Sequence, residues 1–359
     1  MKRYLVLEDG SYFEGEAIGA SSYRIGELVF NTSMSGYQEI LTDPSCSTQI
    51  VMMTYPLIGG YGINRDDNES LKSYVFGFIV KDSCEFPSNF RSEETLNEYL
   101  TRQNIPGIAD IDTRSLTRKI RNEGIMKASF CDTEEEIPSL VNQLKEAPDF
   151  HDTVSKVSTK NVYPIPGRGR KVVVVDFGVK LSILRELSER GCDITVVPYN
   201  TSAEEIMSYY PDGVIFSNGP GNPEDLPVVL PNIEKLIPQT VVFGIDLGYQ
   251  LIALACGAKT EKMKYGQHGD VPVRILAEDR VVITVQNHNY MVNADSLKET
   301  RLEMTYQSIN DGVCEGFRHL DCPCFGVQFH PEANAGPHDC NGLFDDFMAM
   351  MEKEDKENA

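Results

Sequence analysis

No apolar run in this chain approaches the roughly 20 residues that cross a bilayer, so a membrane-spanning helix is excluded at the outset. Basic residues are scarce: 33 Lys and Arg face 54 Asp and Glu, a formal charge of −21. A surface that acidic repels nucleic acid and anionic lipid and favours solubility, so neither is an expected partner. None of the nine cysteines forms a C-x-x-C pair. Scattered thiols point to a reducing cytoplasm and away from a disulfide framework. Cys322, Cys324, His330, His338 and Cys340 lie close in sequence, but their spacings match no common zinc pattern, and no metal site is expected. The chain has no internal repeat, and Met1–Leu5 opens a strand too early to be a signal peptide.

What remains is an ordinary globular composition, 41% hydrophobic over 359 residues, enough for two domains with real cores. The first half mixes short β-like runs (Tyr4–Leu7, Ser11–Gly15, Leu28–Phe30, Gln49–Met53, Val75–Val80) with helical stretches at Thr95–Arg102 and Asp112–Asn122. In the second helix Asp112 is a plausible N-cap and the last turn is basic. This half reads as a mixed α+β domain, residues 1–152. Pro164, Pro166, Gly167 and Gly169 break the pattern and place a linker at 153–170.

Beyond it the texture changes. Lys171–Asp176 is a continuous apolar run, as in a strand buried on both faces. Helix Lys180–Arg190, strand Asp193–Val197, helix Ala203–Tyr209 and strand Gly213–Phe216 follow. That alternation predicts an α/β domain over 171–352 with a mainly parallel sheet flanked by helices. A charged tail, 353–359, closes the chain. In such sheets ligands collect at the carboxyl ends of the strands. Three motifs fall there: Ser217-Asn218-Gly219-Pro220-Gly221, Gly244-Ile245-Asp246-Leu247-Gly248, and Gln328-Phe329-His330-Pro331-Glu332.

The middle motif follows the apolar run Thr240–Phe243 and precedes a helix-like stretch, Tyr249–Cys256. That is the strand, sharp turn and helix on which hydrolases expose a nucleophile, usually Ser or Cys. Here the turn carries a carboxylate, Asp246. His330 and Glu332, two apart, could share one face of an extended segment, as a base held by a carboxylate would. The helix after the turn offers free N–H groups to an oxyanion.

On these residues the second half resembles a triad glutamine amidotransferase domain. Almost the whole chain is similar to the small subunit of carbamoyl-phosphate synthase. Phe30–Ser45, Gly107–Arg118, Asp176–Lys180, Ser217–Gly221 and His330–Asp339 carry that likeness. The resemblance implies a subunit that hydrolyses glutamine and passes ammonia to a large subunit. The large subunit makes carbamoyl phosphate for pyrimidine and arginine biosynthesis and holds the ATP and Mg, so no cofactor is expected in this chain. It places His330 and Glu332 in the triad and Asp246 where the family has its nucleophilic Cys. It also assigns glutamine contacts to Ser45, Gly219, Gly221, Leu247, Gln250, Asn287, Asn289 and Tyr290, and an oxyanion hole to the N–H groups of Gly219 and Leu247.

Several positions depart from the family's usual pattern: Asp246 itself, Tyr249 where a His is usual, Asn289 where a Gly is usual, and Ser182 where Asn is expected. A carboxylate is a far weaker nucleophile than a thiolate. The expectation is therefore a subunit whose own glutaminase activity is lost or strongly impaired, with Asp246 filling the oxyanion hole and pairing with a protonated His330. Cys256, ten residues on, is about 15 Å away along the helix and is no substitute. Two alternatives stay open from sequence: an active glutaminase subunit with an engineered Asp246, and a non-catalytic regulatory or scaffolding homologue.

Overall fold

The computed structural model describes residues 1–358. The chain divides into two compact units: Met1–Phe150 with Lys264–Gly269, and His151–Met263 with the chain from Asp270 onward.

Seven strands of the first unit close into a barrel, in the order Lys2–Leu7, Tyr12–Gly19, Pro106–Ala109, Gly77–Ile79, Gln49–Met53, Gly26–Asn31, Met126–Cys131. Strand Gln49–Met53 shows why its run is apolar throughout. Ile50 and Met52 enter one core with Leu5, Leu28, Ile108 and Phe130, while Val51 and Met53 enter another with Val29, Phe78 and Leu100. Alternate side chains of a strand face opposite ways, so a strand wedged between two cores cannot alternate with polar residues. Helix Leu96–Arg102 starts with a capping box of Thr95 and Glu98, and in helix Thr113–Glu123 the Asp112 carboxylate accepts from the Ser115 N–H at 2.9 Å. The mixed α+β expectation for this half is met by a barrel with helices around it. Lys264–Gly269 joins this unit through Ile125 N–H to Lys264 O (3.0 Å) and Thr32 N–H to His268 O (3.1 Å), a return that no local pattern announces.

The second unit is built on a ten-stranded sheet. Its five central strands, Asp193–Pro198, Lys171–Asp176, Gly213–Phe216, Val241–Ile245 and Cys324–Val327, are parallel neighbours. Antiparallel strands extend it on both sides: Tyr163–Ile165 beside Asp193–Pro198, and Cys314–His319 beside Cys324–Val327. In the central strands Val172, Val174, Ile215 and Phe243 pack against Ile183 and Leu187 of helix Leu181–Glu189 and Phe344 and Phe347 of the C-terminal helix. Val173, Val175, Val214 and Val242 pack on the other face against Ile206, Ile233, Leu251 and Ile252. Each such side chain contributes about 1.5–3 kcal/mol on burial, which makes this two-faced stacking the main support of the unit.

Two boundaries differ from the sequence reading. Residues 153–170 are not a free linker. Helix Val154–Val157 buries Val154 and Val157, and Tyr163–Ile165 pairs antiparallel with Asp193–Pro198 at the sheet edge, where Pro164, which has no N–H to give, is tolerated. The C-terminal helix, which begins at Leu343, continues to Asn358, so most of the expected charged tail is helical. Ala359 lies outside the described residues.

Candidate functional site

Strand Val241–Ile245 ends at Asp246, whose φ of 51° and ψ of −109° turn the chain into helix Leu247–Ala255. A Cβ at position 248 would lie 2.1 Å from the Phe216 carbonyl oxygen, so only glycine lets the helix start this close to the neighbouring strand. The elbow is pinned on both sides: the Asp246 N–H donates to Val327 O (2.9 Å) and the Gly248 N–H to Ser217 O (3.0 Å). Sequence reasoning put the side chain at 246 in the open, but it is only 2% exposed. A carboxylate draws donors over itself. Gln328 Nε2 donates to Oδ1 at 2.9 Å, and the Gly219 N–H approaches Oδ2 at 3.5 Å. Gly219 belongs to the loop after the adjacent strand Gly213–Phe216, where a Cβ would meet the Phe177 carbonyl oxygen at 2.4 Å.

His330 lies beyond the end of the next parallel strand, Cys324–Val327. Its Nδ1 lies 2.8 Å from Glu332 Oε1. The pairing matches expectation, but the segment is not extended: the Ala333 N–H donates to His330 O at 3.1 Å, closing a turn that folds Glu332 back onto the ring. Glu332 Oε1 also meets Lys180 Nζ at 3.0 Å, and Lys180 donates to the carbonyls of Ala333 (3.0 Å) and Asn334 (2.8 Å). All three charged side chains are buried. Burial alone drives the His330 pKa down, but the Glu332 carboxylate and its hydrogen bond, with Asp246, outweigh burial and Lys180, so the pKa rises above the usual 6.5. For Glu332 burial raises the pKa and Lys180 and His330 lower it, and the two cations win by a wide margin. His330 Nε2 is buried and has no hydrogen-bond partner among the described residues. No hydrogen bond joins Asp246 to His330 Nε2 among the described residues, and the Asp246 charge adds to the upward push on the ring's pKa.

Lys180 and Gln328 were quoted within motifs but given no role. A signal for each existed. A Lys at the carboxyl end of a buried strand must find a carboxylate, and Gln328 precedes His330 by two residues in the same segment. The strand-end loops are themselves laced together: Ser217 Oγ accepts from the Phe177 N–H (3.0 Å), and Asn218 Oδ1 from the Lys180 N–H (3.1 Å).

The proposed glutamine contacts scatter more than the triad does. Gly219, Gly221 and Leu247 sit at the elbow and its neighbouring loop. Gln250, on the first turns of the elbow helix, has its amide engaged: Nε2 donates to Tyr290 O (2.8 Å) and to Gln328 Oε1 (2.9 Å). Asn287, Asn289 and Tyr290 lie on strand Arg280–Val292, and the His330 N–H donates to Val285 O of that strand at 2.9 Å. Ser45 belongs to the first unit, in the short 3-10 turn Pro44–Cys46, where its N–H is held by Asp43 Oδ1 at 2.8 Å. Tyr249 faces away into the core, its hydroxyl donating to Cys314 O (2.9 Å) and its ring stacked on Phe317. Cys256 caps the far end of the helix, and burial pushes its thiol up to about 11. The cysteine and histidine residues near the C-terminus form no group able to hold a metal among the described residues.

One buried acid stands apart from this chemistry. Glu315 is fully buried. Burial, only partly offset by the Gln286 amide at 2.8 Å, pushes its carboxyl up to about 8. A carboxyl whose pKa rises on folding keeps its proton in the folded state and loses it in the unfolded one. It therefore lowers stability progressively as pH climbs from about 4.5 toward 8. Glu315→Gln is expected to flatten the pH dependence of the thermal midpoint between pH 5 and 8 and to gain on the order of 2 kcal/mol at pH 8. A variant no more stable than wild type at pH 8 would contradict this.

Residues 5–130 match the family described as carbamoyl-phosphate synthase small chain, CPSase domain, and residues 173–350 match glutamine amidotransferase class-I. The carbamoyl phosphate synthase small chain of Bacillus caldolyticus is 53% identical over 357 residues, covering 99% of this chain and 98% of that protein. The pyrimidine-specific small chain of Bacillus subtilis (strain 168) is 53% identical over 358 residues, with 99% and 98% covered. The small chain of Staphylococcus epidermidis is 53% identical over 363 residues, with 100% and 99% covered. With both of its regions matched and half its residues shared along the full length of these relatives, the chain belongs to the carbamoyl-phosphate synthase small-chain family and carries a class-I glutamine amidotransferase domain.

Proposed function

We propose that this chain is the small subunit of a cytoplasmic carbamoyl-phosphate synthase that docks on a large subunit while its own glutamine hydrolysis is lost or strongly impaired. The observation that carries the reading is the buried Asp246 carboxylate at the elbow, with one oxygen on Gln328 and the other facing the Gly219 N–H. A glutaminase of this family would place a thiolate there. The sulfur would attack the γ-amide carbon, the oxyanion would take the N–H groups, and the departing nitrogen would leave as ammonia after accepting a proton. A carboxylate attacking the same carbon would have to form an anhydride, a high-energy acyl group made by a weak nucleophile. It would also keep an anion at the Gly219 N–H, where the developing oxyanion needs a donor. The charge at Asp246 adds to the Glu332 carboxylate in pushing the His330 pKa upward against burial, which works against the ring's release of a proton.

Glutamine contacts are assigned to Ser45, Gly219, Gly221, Leu247, Gln250, Asn287, Asn289 and Tyr290. ATP and Mg are assigned to the large subunit, and the product to pyrimidine and arginine biosynthesis. The pyrimidine-specific name of the Bacillus subtilis relative supports the first of these. Nine free thiols support the cytoplasm. The experiment is a donor comparison with the reconstituted complex: ammonium is expected to sustain carbamoyl phosphate formation and glutamine is not. Equal rates with the two donors would overturn the proposal.

A further inference from the structure

Helix Thr113–Glu123 presents a comb of cations that the fold does not use. Arg114, Arg118 and Arg121 are all exposed. At 100° per residue they fall within an arc of about 60°, on the side away from the core residues Leu116 and Ile120. None of the three forms an ion pair among the described residues, whereas Lys119 of the same helix reaches both Asp9 (2.5 Å) and Glu123 (3.1 Å). In a chain with 54 acidic residues against 33 basic ones, three neighbouring arginines without a carboxylate stand out.

The placement works against the helix. Arg114–Arg118 and Arg118–Arg121 are like-charge pairs at i,i+4 and i,i+3, which repel. Arg114 stands in the first turn, beside the positive end of the helix dipole, where the capping carboxylate of Asp112 is the acid that faces it. Only Arg121, in the last turn, suits the dipole. The repulsion along the stripe works against the isolated helix, and no ion pair among the described residues offsets it. Arginine is the cation enriched at protein interfaces, because its planar fork binds carboxylates in pairs and sheds water more readily than Lys.

We propose that the exposed face of helix Thr113–Glu123 is a docking surface for an acidic patch on the large subunit, with Arg114, Arg118 and Arg121 each meeting a carboxylate. The proposal rests on the pairing put forward above. Nucleic acid fits less well, since a chain of net charge −21 repels a polyanion at every range beyond the stripe itself. A protein surface can offer a few carboxylates matched to three guanidinium groups and uncharged ground around them.

The test is the affinity of the full chain for its purified large subunit, measured by calorimetry at low and high salt. Wild type, R114Q/R118Q/R121Q and R114E/R118E/R121E are compared. The wild type is expected to bind and to weaken as salt rises. The Gln variant should bind about tenfold more weakly, and the Glu variant about 100-fold more weakly, with the salt dependence of wild type lost or inverted. The Gln variant should keep the wild-type thermal midpoint or exceed it, since it removes the repulsion, and the midpoint of the Glu variant, whose like charges repel at the same spacings, is measured beside it so that a folding defect will not imitate the result. If wild type binds and the Glu variant binds equally well across the salt range, the docking proposal is wrong while the pairing stands. If wild type fails to bind the large subunit at all, the pairing falls and this surface with it. A short DNA duplex is the third probe: binding to it that the Glu variant abolishes, with large-subunit affinity unchanged, would assign the stripe to nucleic acid and overturn the proposal.

Discussion

Asp246→Cys is expected to raise ammonia release from glutamine about 100-fold or more above the wild-type chain. The rest of the apparatus for a thiolate is in place. The elbow backbone at φ 51° survives, since the helix start and the two strand-end hydrogen bonds do not involve the side chain. His330 retains Glu332 at 2.8 Å and a buried Nε2 with no partner among the described residues. Replacing the carboxylate with a thiol frees the Gly219 N–H and offers that Nε2 a proton to take. Losing the nucleophile of a hydrolytic triad costs about 10⁶ in rate, so full recovery would be a much larger gain. Only part is expected back, because Gln250 and Gln328 are arranged to hold a carboxylate and Gln250 has its amide already committed. A variant that stays at the wild-type level would mean that the pocket as a whole, and not one side chain, has lost the chemistry.

Lys180→Met is expected to destabilise the C-terminal unit by about 3–5 kcal/mol, the usual consequence of stripping one partner from a buried ion pair. Glu332 is fully buried, and the Lys180 ammonium is the largest influence holding it ionised. Without it the carboxylate must keep its charge beside His330 alone or take up a proton, and the carbonyls of Ala333 and Asn334 lose a shared donor. Urea unfolding measures the loss. Combining Lys180→Met with Glu332→Gln is expected to recover more than half of it, because the neutral amide no longer needs a cation. A single variant within 1 kcal/mol of wild type would show that the pair adds little to stability.

The parts of this molecule that were legible in the sequence are those with local causes. Val172–Val175 must be buried on both faces because no polar residue interrupts it, and the structure sends alternate valines into two cores. The elbow was legible through Gly244 and Gly248, and the His330–Glu332 pair through spacing. What escaped depends on contacts distant in sequence. Lys2–Leu7 closes the barrel by pairing with Met126–Cys131, more than a hundred residues away, and nothing near either strand says so. Lys264–Gly269 leaves one unit for the other at the level of single hydrogen bonds. The burial of Asp246 and its bond to Gln328 could not be read from motifs that family resemblance had already filled with another chemistry. Likewise Lys180 was legible as part of a match but not as the cation that keeps Glu332 charged.

Incubating the wild-type chain with glutamine, measuring glutamate and ammonia, and weighing the intact protein by mass spectrometry tests the central claim most directly. Release indistinguishable from a protein-free control, with the chain at its unmodified mass, is the expected result. A glutamyl adduct located at Asp246, or turnover that denaturing the protein abolishes, would contradict it.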